Sequence, residues 1–332
     1  MNVPERQPQA KCHDQRDKRS TNQGSPVAEA PYRRVHVIVN PASGKDEPVL
    51  NVLNDVFRQH EVEWAVSVTH KYGDAAAQAR QAIDDGFDLV AGYGGDGTQH
   101  EIANALVEAS VGSGHTTPMG ILPGGTGNGF AREMGVPKTL RQATELLCTS
   151  TRTRAVDVGR LSDIGQAAVA DRYFVQRMYV GVEREEQTSR ELKDKYGVFA
   201  YLVNATQHAG ETKVVGYRVG LDGETFEFEA SKVYVVNSGM MGTGLRITHS
   251  YAVDDGLFDC FFVDKRDLST LTAAVVRFLN LPQAKVSRYH RQAARVRIET
   301  KPDQPVWTDG EYVGRTPVTV EVMPGALAVV VP

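Results

Sequence analysis

Two acidic motifs define the chemistry open to this chain. Asp96 is the only charge in the cluster Gly92-Tyr93-Gly94-Gly95-Asp96-Gly97-Thr98, and Asp309 and Glu311 flank a single glycine far downstream. A glycine-rich turn running into a helix lays backbone N–H groups and a helix N-terminus against an anion, so the Asp96 loop suits a polyphosphate. Carboxylates nearby are candidates to take a proton from a hydroxyl. Asp309-Gly310 is equally a strong hairpin-turn signal. On the residues alone, a plain hairpin and a shared acidic cleft carry equal weight. Two further loops share the small, polar character: Asn40-Pro41-Ala42-Ser43-Gly44-Lys45 and Pro123-Gly124-Gly125-Thr126-Gly127-Asn128-Gly129. The first lacks the G-x-x-x-x-G-K-[ST] spacing of a P-loop.

The elements that must hold these loops follow from patterning. Apolar runs at 34–39, 89–92 and 119–122 predict strands, and each empties into one of the three loops. Residues 62–68 alternate as another strand. Between strands, Val49, Leu50, Leu53, Val56 and Phe57 recur at helical spacing. Gly73-Asp74 opens an alanine-rich helix with Asp74 in the cap position. Strand–helix alternation implies βαβ units and a parallel sheet, whose carboxyl edge is where open α/β sheets take ligands. From about residue 154 short strands dominate, including 154–161, 173–180, 318–323 and 326–331, with helices near 185–207 and 268–281. The expected fold is an α/β domain with a parallel sheet at 31–150, then a mainly antiparallel β-sandwich at 151–332. The last strands are free to return and pack on the first domain.

Composition narrows the classes. A net charge of −4 lacks the basic surplus of a general nucleic-acid binder. Cys12, Cys148 and Cys260 lie far apart without C-x-x-C spacing, which excludes a cysteine zinc site and suits a reducing compartment. No run approaches the roughly 20 apolar residues of a membrane-spanning helix. Residues 1–30 are rich in Gln, Pro, Arg, Lys and Ser and have no apolar stretch for a signal peptide, so they read as a disordered tail.

Asn40-Pro41-Ala42-Ser43-Gly44, Gly94-Gly95-Asp96-Gly97-Thr98, Gly124-Gly125-Thr126-Gly127-Asn128, Asp254-Asp255-Gly256-Leu257-Phe258-Asp259 and Asp309-Gly310-Glu311 occur in one order. That series resembles the diacylglycerol-kinase catalytic family over about residues 34–332. Gly-Gly-Asp-Gly-Thr alone is shared with NAD kinases and phosphofructokinases; the series is more specific. It looks most like the bacterial soluble lipid kinases, relatives of sphingosine and ceramide kinases. The resemblance implies ATP-dependent phosphorylation of a lipid hydroxyl in a cleft between the two domains. The lipid would be diacylglycerol, phosphatidylglycerol or a sphingoid base. Nucleotide contacts then fall on Asn40, Pro41, Ala42, Ser43, Gly44, Thr69, Gly94, Gly95, Asp96, Gly97, Thr98, Gln99, His100, Glu101, Gly125, Thr126 and Asn128. It also implies Mg2+ on the Asp255 carboxylate with main-chain carbonyls of Ala252 and Leu257, an oxygen set that suits a hard cation. The family pattern favours Glu311 as proton acceptor, with Asp309 as a supporting carboxylate or ligand of a magnesium-bound water. Asp96 would sit beside the phosphates and metal, although sphingosine-kinase relatives are thought to use that aspartate as base.

Some positions depart from the family pattern. Many members carry aspartate where Gly129 stands, and relatives tend to carry Asn and Gly where this chain has Gln176 and Tyr179. His100 on its own reads as a surface histidine. Between Arg277 and Arg297, six Lys/Arg and His290 occur without an acid, which fits either an anionic lipid patch or a solvated face. The implied partners are ATP and a lipid at the membrane surface, with no nucleic acid and a homodimer left open. The implied location is cytoplasmic with transient, peripheral membrane contact. Two alternatives stay open: a soluble-substrate kinase of the NAD kinase type, and a nucleotide-binding regulatory protein without turnover.

Overall fold

The computed structural model describes residues 30–43, 46–114, 116–165, 172–181, 214–238, 240–241, 245–246, 252–263 and 290–332. Residues 1–29 of the expected tail, Gly44, Lys45 and the helices expected near 185–207 and 268–281 lie outside them. Four apolar runs become β1 (Arg34–Val39), β2 (Glu63–Val68), β3 (Leu89–Gly94) and β4 (Met119–Pro123), paired in parallel in the order β2-β1-β3-β4. The intervening helices are α1 (Val49–Gln59), α2 (Asp74–Asp84) and α3 (Asp96–Ser113), followed by α4 (Gly129–Glu133) and α5 (Leu140–Thr149). β3 and β4 are buried along their whole length, as expected of parallel strands covered on both faces. α1 buries Leu53, Val56 and Phe57 of its stripe but leaves Leu50 exposed.

Downstream the chain forms β5 (Thr153–Ser162), β6 (Arg172–Phe174), β7 (Arg177–Gly181), β8 (Val215–Leu221), β9 (Glu224–Ala230) and β10 (Lys232–Val236). There follow β11 (Met240–Met241), β12 (Leu245–Arg246), β13 (Phe258–Val263), β14 (His290–Ala293), β15 (Arg295–Lys301), β16 (Pro305–Thr308), β17 (Glu311–Arg315) and β18 (Val318–Val330). The β2-β1-β3-β4 sheet continues as β18-β15-β8-β9, and an antiparallel sheet, β14-β13-β10-β7-β16-β17, packs on this continuation across a core that includes Phe174, Val180, Val219, Val235, Phe258 and Ile298. β18 belongs to both regions. It pairs antiparallel with β15 and β5, and at its far end Val329 lies parallel beside Met119 of β4.

Three local expectations change. The runs at 318–323 and 326–331 form one strand, with a register shift between Met323 and Leu327. Pro324 offers no N–H there, and Gly325 takes a positive φ of 59° while its N–H donates to Asp157. The single strand expected at 173–180 breaks between β6 and β7, because the N–H groups of Val175, Gln176 and Arg177 turn to one carboxylate, that of Asp309. Asp74 is the first residue of α2, with Gly73 as the cap; its carboxylate takes N–H groups of His70 and Lys71, and Glu101 of α3 takes those of Gly73 and Ala75.

Gly159 lies under Phe174, which stacks on Phe258 with centroids 5.5 Å apart, and a Cβ there would come within 2.1 Å of the Phe174 ring. Gly159→Ala should therefore overpack the joint between β5 and β6 and lower stability by about 1–3 kcal/mol in urea denaturation.

Candidate active site

The three glycine loops lie side by side because β1, β3 and β4 are adjacent parallel strands. Their backbones are tied together: Asn40 N–H donates to Tyr93 O at 2.9 Å and Gly124 N–H to Gly94 O at 3.0 Å. The Asn40 amide donates to Thr98 Oγ1 at 2.9 Å, while its Oδ1 accepts the Ala42 N–H and its carbonyl accepts the Ser43 hydroxyl. A Cβ on Gly125 would lie 2.6 Å from the Gly95 Cα, so the two loops approach at a distance only glycine allows. Asp96 starts α3, and its carboxylate accepts the N–H groups of Gly129 and Phe130, both at 3.0 Å, at the start of α4. It ties one loop to the next. Asn128 holds its own loop by accepting the Gly125 N–H, Thr126 is exposed, and the side of Gly97 opens on empty space. Thr69 is buried where β2 ends, its N–H on the Val39 carbonyl.

The side chains of the run from Gly95 to Glu101 turn in different directions. Successive helical side chains diverge by about 100°, at 3.6 residues per turn. Gln99 turns back on β3 and donates to Gly92 O at 2.8 Å, Glu101 serves the start of α2, and His100 faces the Asp309–Glu311 hairpin.

That hairpin is both a turn and an acidic site. Asp309 and Gly310 have φ of 46° and 95°, the double left-handed geometry of a type I′ turn between β16 and β17. Yet the Asp309 carboxylate is buried. It accepts N–H from Val175 at 2.9 Å, Gln176 at 3.1 Å and Arg177 at 2.7 Å, and His100 Nδ1 donates at 2.8 Å. These donors fill the acceptor places of a carboxylate, leaving none for a magnesium-bound water. Asp309 is an anchor. Burial pushes its carboxyl up, but the His100 bond and charge and the Val175 and Arg177 N–H groups outweigh this and hold it below the usual range.

His100 is 8% exposed, not a surface group. Burial alone would lower its pKa; the bond to Asp309 and the charges of Asp309, Glu311 and Glu101 prevail and raise it. Its Nε2 lies 3.6 Å from Glu311 Oε2, which also accepts the Tyr72 hydroxyl. The Glu311 side chain is 24% exposed and borders a cavity of about 260 Å³, whose other walls include Tyr72, Arg80, Glu101, Asn104 and Arg172. Asn104 Oδ1 accepts the Tyr173 N–H at 3.1 Å, fixing α3 to β6 behind this cavity.

At the expected magnesium corner, Asp255 Oδ1 accepts the Leu257 N–H at 3.0 Å. Burial and the charges of Asp259 and Asp157 raise the Asp255 pKa, and a cation there would offset this repulsion. Asp157, which the motif reading missed, takes Gly256 N–H at 2.7 Å and Gly325 N–H at 2.8 Å, joining the corner to the β18 bulge. Its only sequence signal is an acid inside the apolar run of β5. Asp254 pairs with Arg154 instead. Among the described residues no three His, Cys, Asp or Glu side chains converge for a metal, so a cation here would rely on Asp255 and main-chain oxygens. Gln176 gives its N–H to Asp309, and Tyr179 stacks on Trp307 with centroids 6.1 Å apart.

Three phosphate-type loops on a parallel sheet, completed by an acidic hairpin from a sandwich, define a two-domain protein with the layout of a phosphotransferase. Residues 34–161 match the diacylglycerol kinase catalytic domain, and residues 177–331 match the YegS C-terminal NAD kinase beta sandwich-like domain. The chain thus carries a diacylglycerol-kinase catalytic domain followed by a YegS-type C-terminal domain. It is 28% identical to a diacylglycerol kinase of Staphylococcus saprophyticus over 291 residues, covering 86% of this chain and 91% of the relative. A diacylglycerol kinase of Staphylococcus aureus is 26% identical, covering 86% and 88%. A crystal structure of a diacylglycerol kinase from Bacillus anthracis superposes with a TM-score of 0.71 at 24% identity, covering 92% of this chain and 99% of that one.

The shifts predict a pH signature. His100 is raised above 6.5, so its stabilisation is complete below about pH 6 and is lost as pH climbs through the raised value. In urea unfolding, the stability difference between wild type and His100→Asn should be largest in mild acid and shrink as pH rises through the folded-state titration of His100.

Proposed function

We propose that this chain is an ATP-dependent lipid kinase that transfers the γ-phosphoryl group to a lipid hydroxyl, with Glu311 as proton acceptor. The observation that carries the reading is the partly exposed Glu311 carboxylate beside an open cavity, on the flank of the helix whose N-terminus forms the Asp96 loop. Asp96 and His100 are four positions apart on α3, about 6 Å of helix, which suits a phosphate at one end and an acceptor at the other. The loops of Asn40, Gly95–Thr98 and Gly125–Asn128 would hold the triphosphate through backbone N–H groups. The acceptor hydroxyl would enter the cavity and give its proton to Glu311. Its oxygen bonds to the γ-phosphorus as the bond to the β–γ bridging oxygen breaks, and ADP leaves. A structural Mg2+ would be held by the Asp255 carboxylate with the main-chain carbonyls of Ala252 and Leu257, offsetting the acidic charge of Asp157 and Asp259 at that corner. Asp96 supports the loops in this reading.

Among the described residues no helix is long and apolar enough to cross a membrane, so the lipid would be met at a surface. Part of the basic run is paired among the described residues. Arg295 pairs with Glu321, and Arg297 with Glu299 and Asp163, while 277–289 lie outside the described residues.

The test offers labelled ATP with diacylglycerol, phosphatidylglycerol, sphingosine or NAD. Lipid phosphate should form, and Glu311→Gln should lose about 10²–10⁴-fold in kcat while binding ATP as wild type does. Product on NAD alone would make it a soluble-substrate kinase; ATP binding with no product on any acceptor would make it a regulatory protein.

A further inference from the structure

We propose that His100 is a positioning residue for the proton acceptor: anchored on the buried Asp309 carboxylate, it holds the Glu311 carboxylate in register with the acceptor cavity. The inference rests on the kinase reading above and assigns a role to a residue that motif spacing placed among the nucleotide contacts.

Asp309 cannot move, because three backbone N–H groups of the β6–β7 bend grip it. Its bond to Nδ1 fixes the imidazole as an N–H donor on that side and so fixes the ring orientation. The opposite nitrogen, Nε2, then lies within ion-pair reach of Glu311 Oε2, at 3.6 Å, with the Asn104 amide 3.3 Å away. The Tyr72 hydroxyl holds the same oxygen. Glu311 Oε1 has no hydrogen-bond partner among the described residues, which leaves it for an incoming hydroxyl. A purely structural pin between α3 and the hairpin would need only the Nδ1 bond. The approach of Nε2 to a second, partly exposed carboxylate is what that role does not require.

Charge supports the same arrangement. Around His100 stand Asp309 and Glu311 from the hairpin and Glu101 and Asn104 from α3, the Asn104 amide 3.3 Å from both ring nitrogens, while Tyr72, Arg80, Glu108, Arg172 and Tyr173 line the cavity alongside. Two carboxylates sharing a small site would drive one to protonate. A cationic imidazole between Asp309 and Glu311 offsets that repulsion. On turnover the hydroxyl proton goes to Glu311, and His100 keeps its own.

The experiment measures phosphorylation of diacylglycerol in mixed vesicles from pH 5.5 to 9, for wild type, His100→Asn, Glu311→Gln and the double variant. Asparagine preserves an N–H towards Asp309 but cannot reach Glu311. His100→Asn should lower kcat about 10–100-fold, leave the KM for ATP within about twofold, and move the acid limb of kcat/KM up by about one pH unit. The double variant should be no slower than Glu311→Gln. His100→Gln, whose amide reaches the Nε2 position without charge, should recover part of kcat while the acid limb stays displaced. An unmoved acid limb in both His100 variants, a KM for ATP raised about tenfold, or additive losses in the double variant would each overturn the assignment. Full activity of Glu311→Gln would instead overturn the kinase reading's base, and this inference with it.

Discussion

A carboxylate taken out of water must find partners for both oxygens, and that demand organises much of the site. Asp309 meets it with the N–H groups of three consecutive residues, Val175 to Arg177, and with His100. To present those N–H groups, the chain leaves the sheet between β6 and β7. The freed carbonyls of that bend are taken elsewhere: Asn237 donates its side-chain amide to Val175 O and its N–H to Gln176 O. One ion thus fixes a hairpin, a bend and a helix relative to each other. The placement of Glu311, two residues further on, follows from it.

Much of this was legible in the chain. Residues 34–39 form a strand as the apolar run required, and the three loops emerge at one sheet edge because their strands are parallel neighbours. The hairpin and the acidic cleft at Asp309 looked like rivals only because a turn signal says nothing of burial; the structure has both. The roles within Gly95–Glu101 were not legible. A motif is linear, whereas a helix sends neighbouring side chains to different places, so Gln99 reaches the sheet and Glu101 reaches α2. The partners of Asp157 lie 99 and 168 positions away, a separation that local pattern cannot register.

The glycines of the phosphate-type loops have a second meaning. Gly95 and Gly125 let two loops touch, and the Asp96 carboxylate spans the same junction to α4. Backbone N–H groups can present a concave, positive surface only if the loops are packed this closely. Gly129 falls at this junction, where its N–H donates to Asp96.

β18 runs the length of both regions, with β5 alongside it from Thr153 to Ser162. A hinge between two lobes needs a segment that can rotate without rupturing a ladder, and here the connecting segment is itself the ladder. Clamshell opening would have to break those rungs or flex where the register shifts between Met323 and Leu327. Tyr72, 66% exposed on the wall of the cavity beside Glu311, stands outside that ladder.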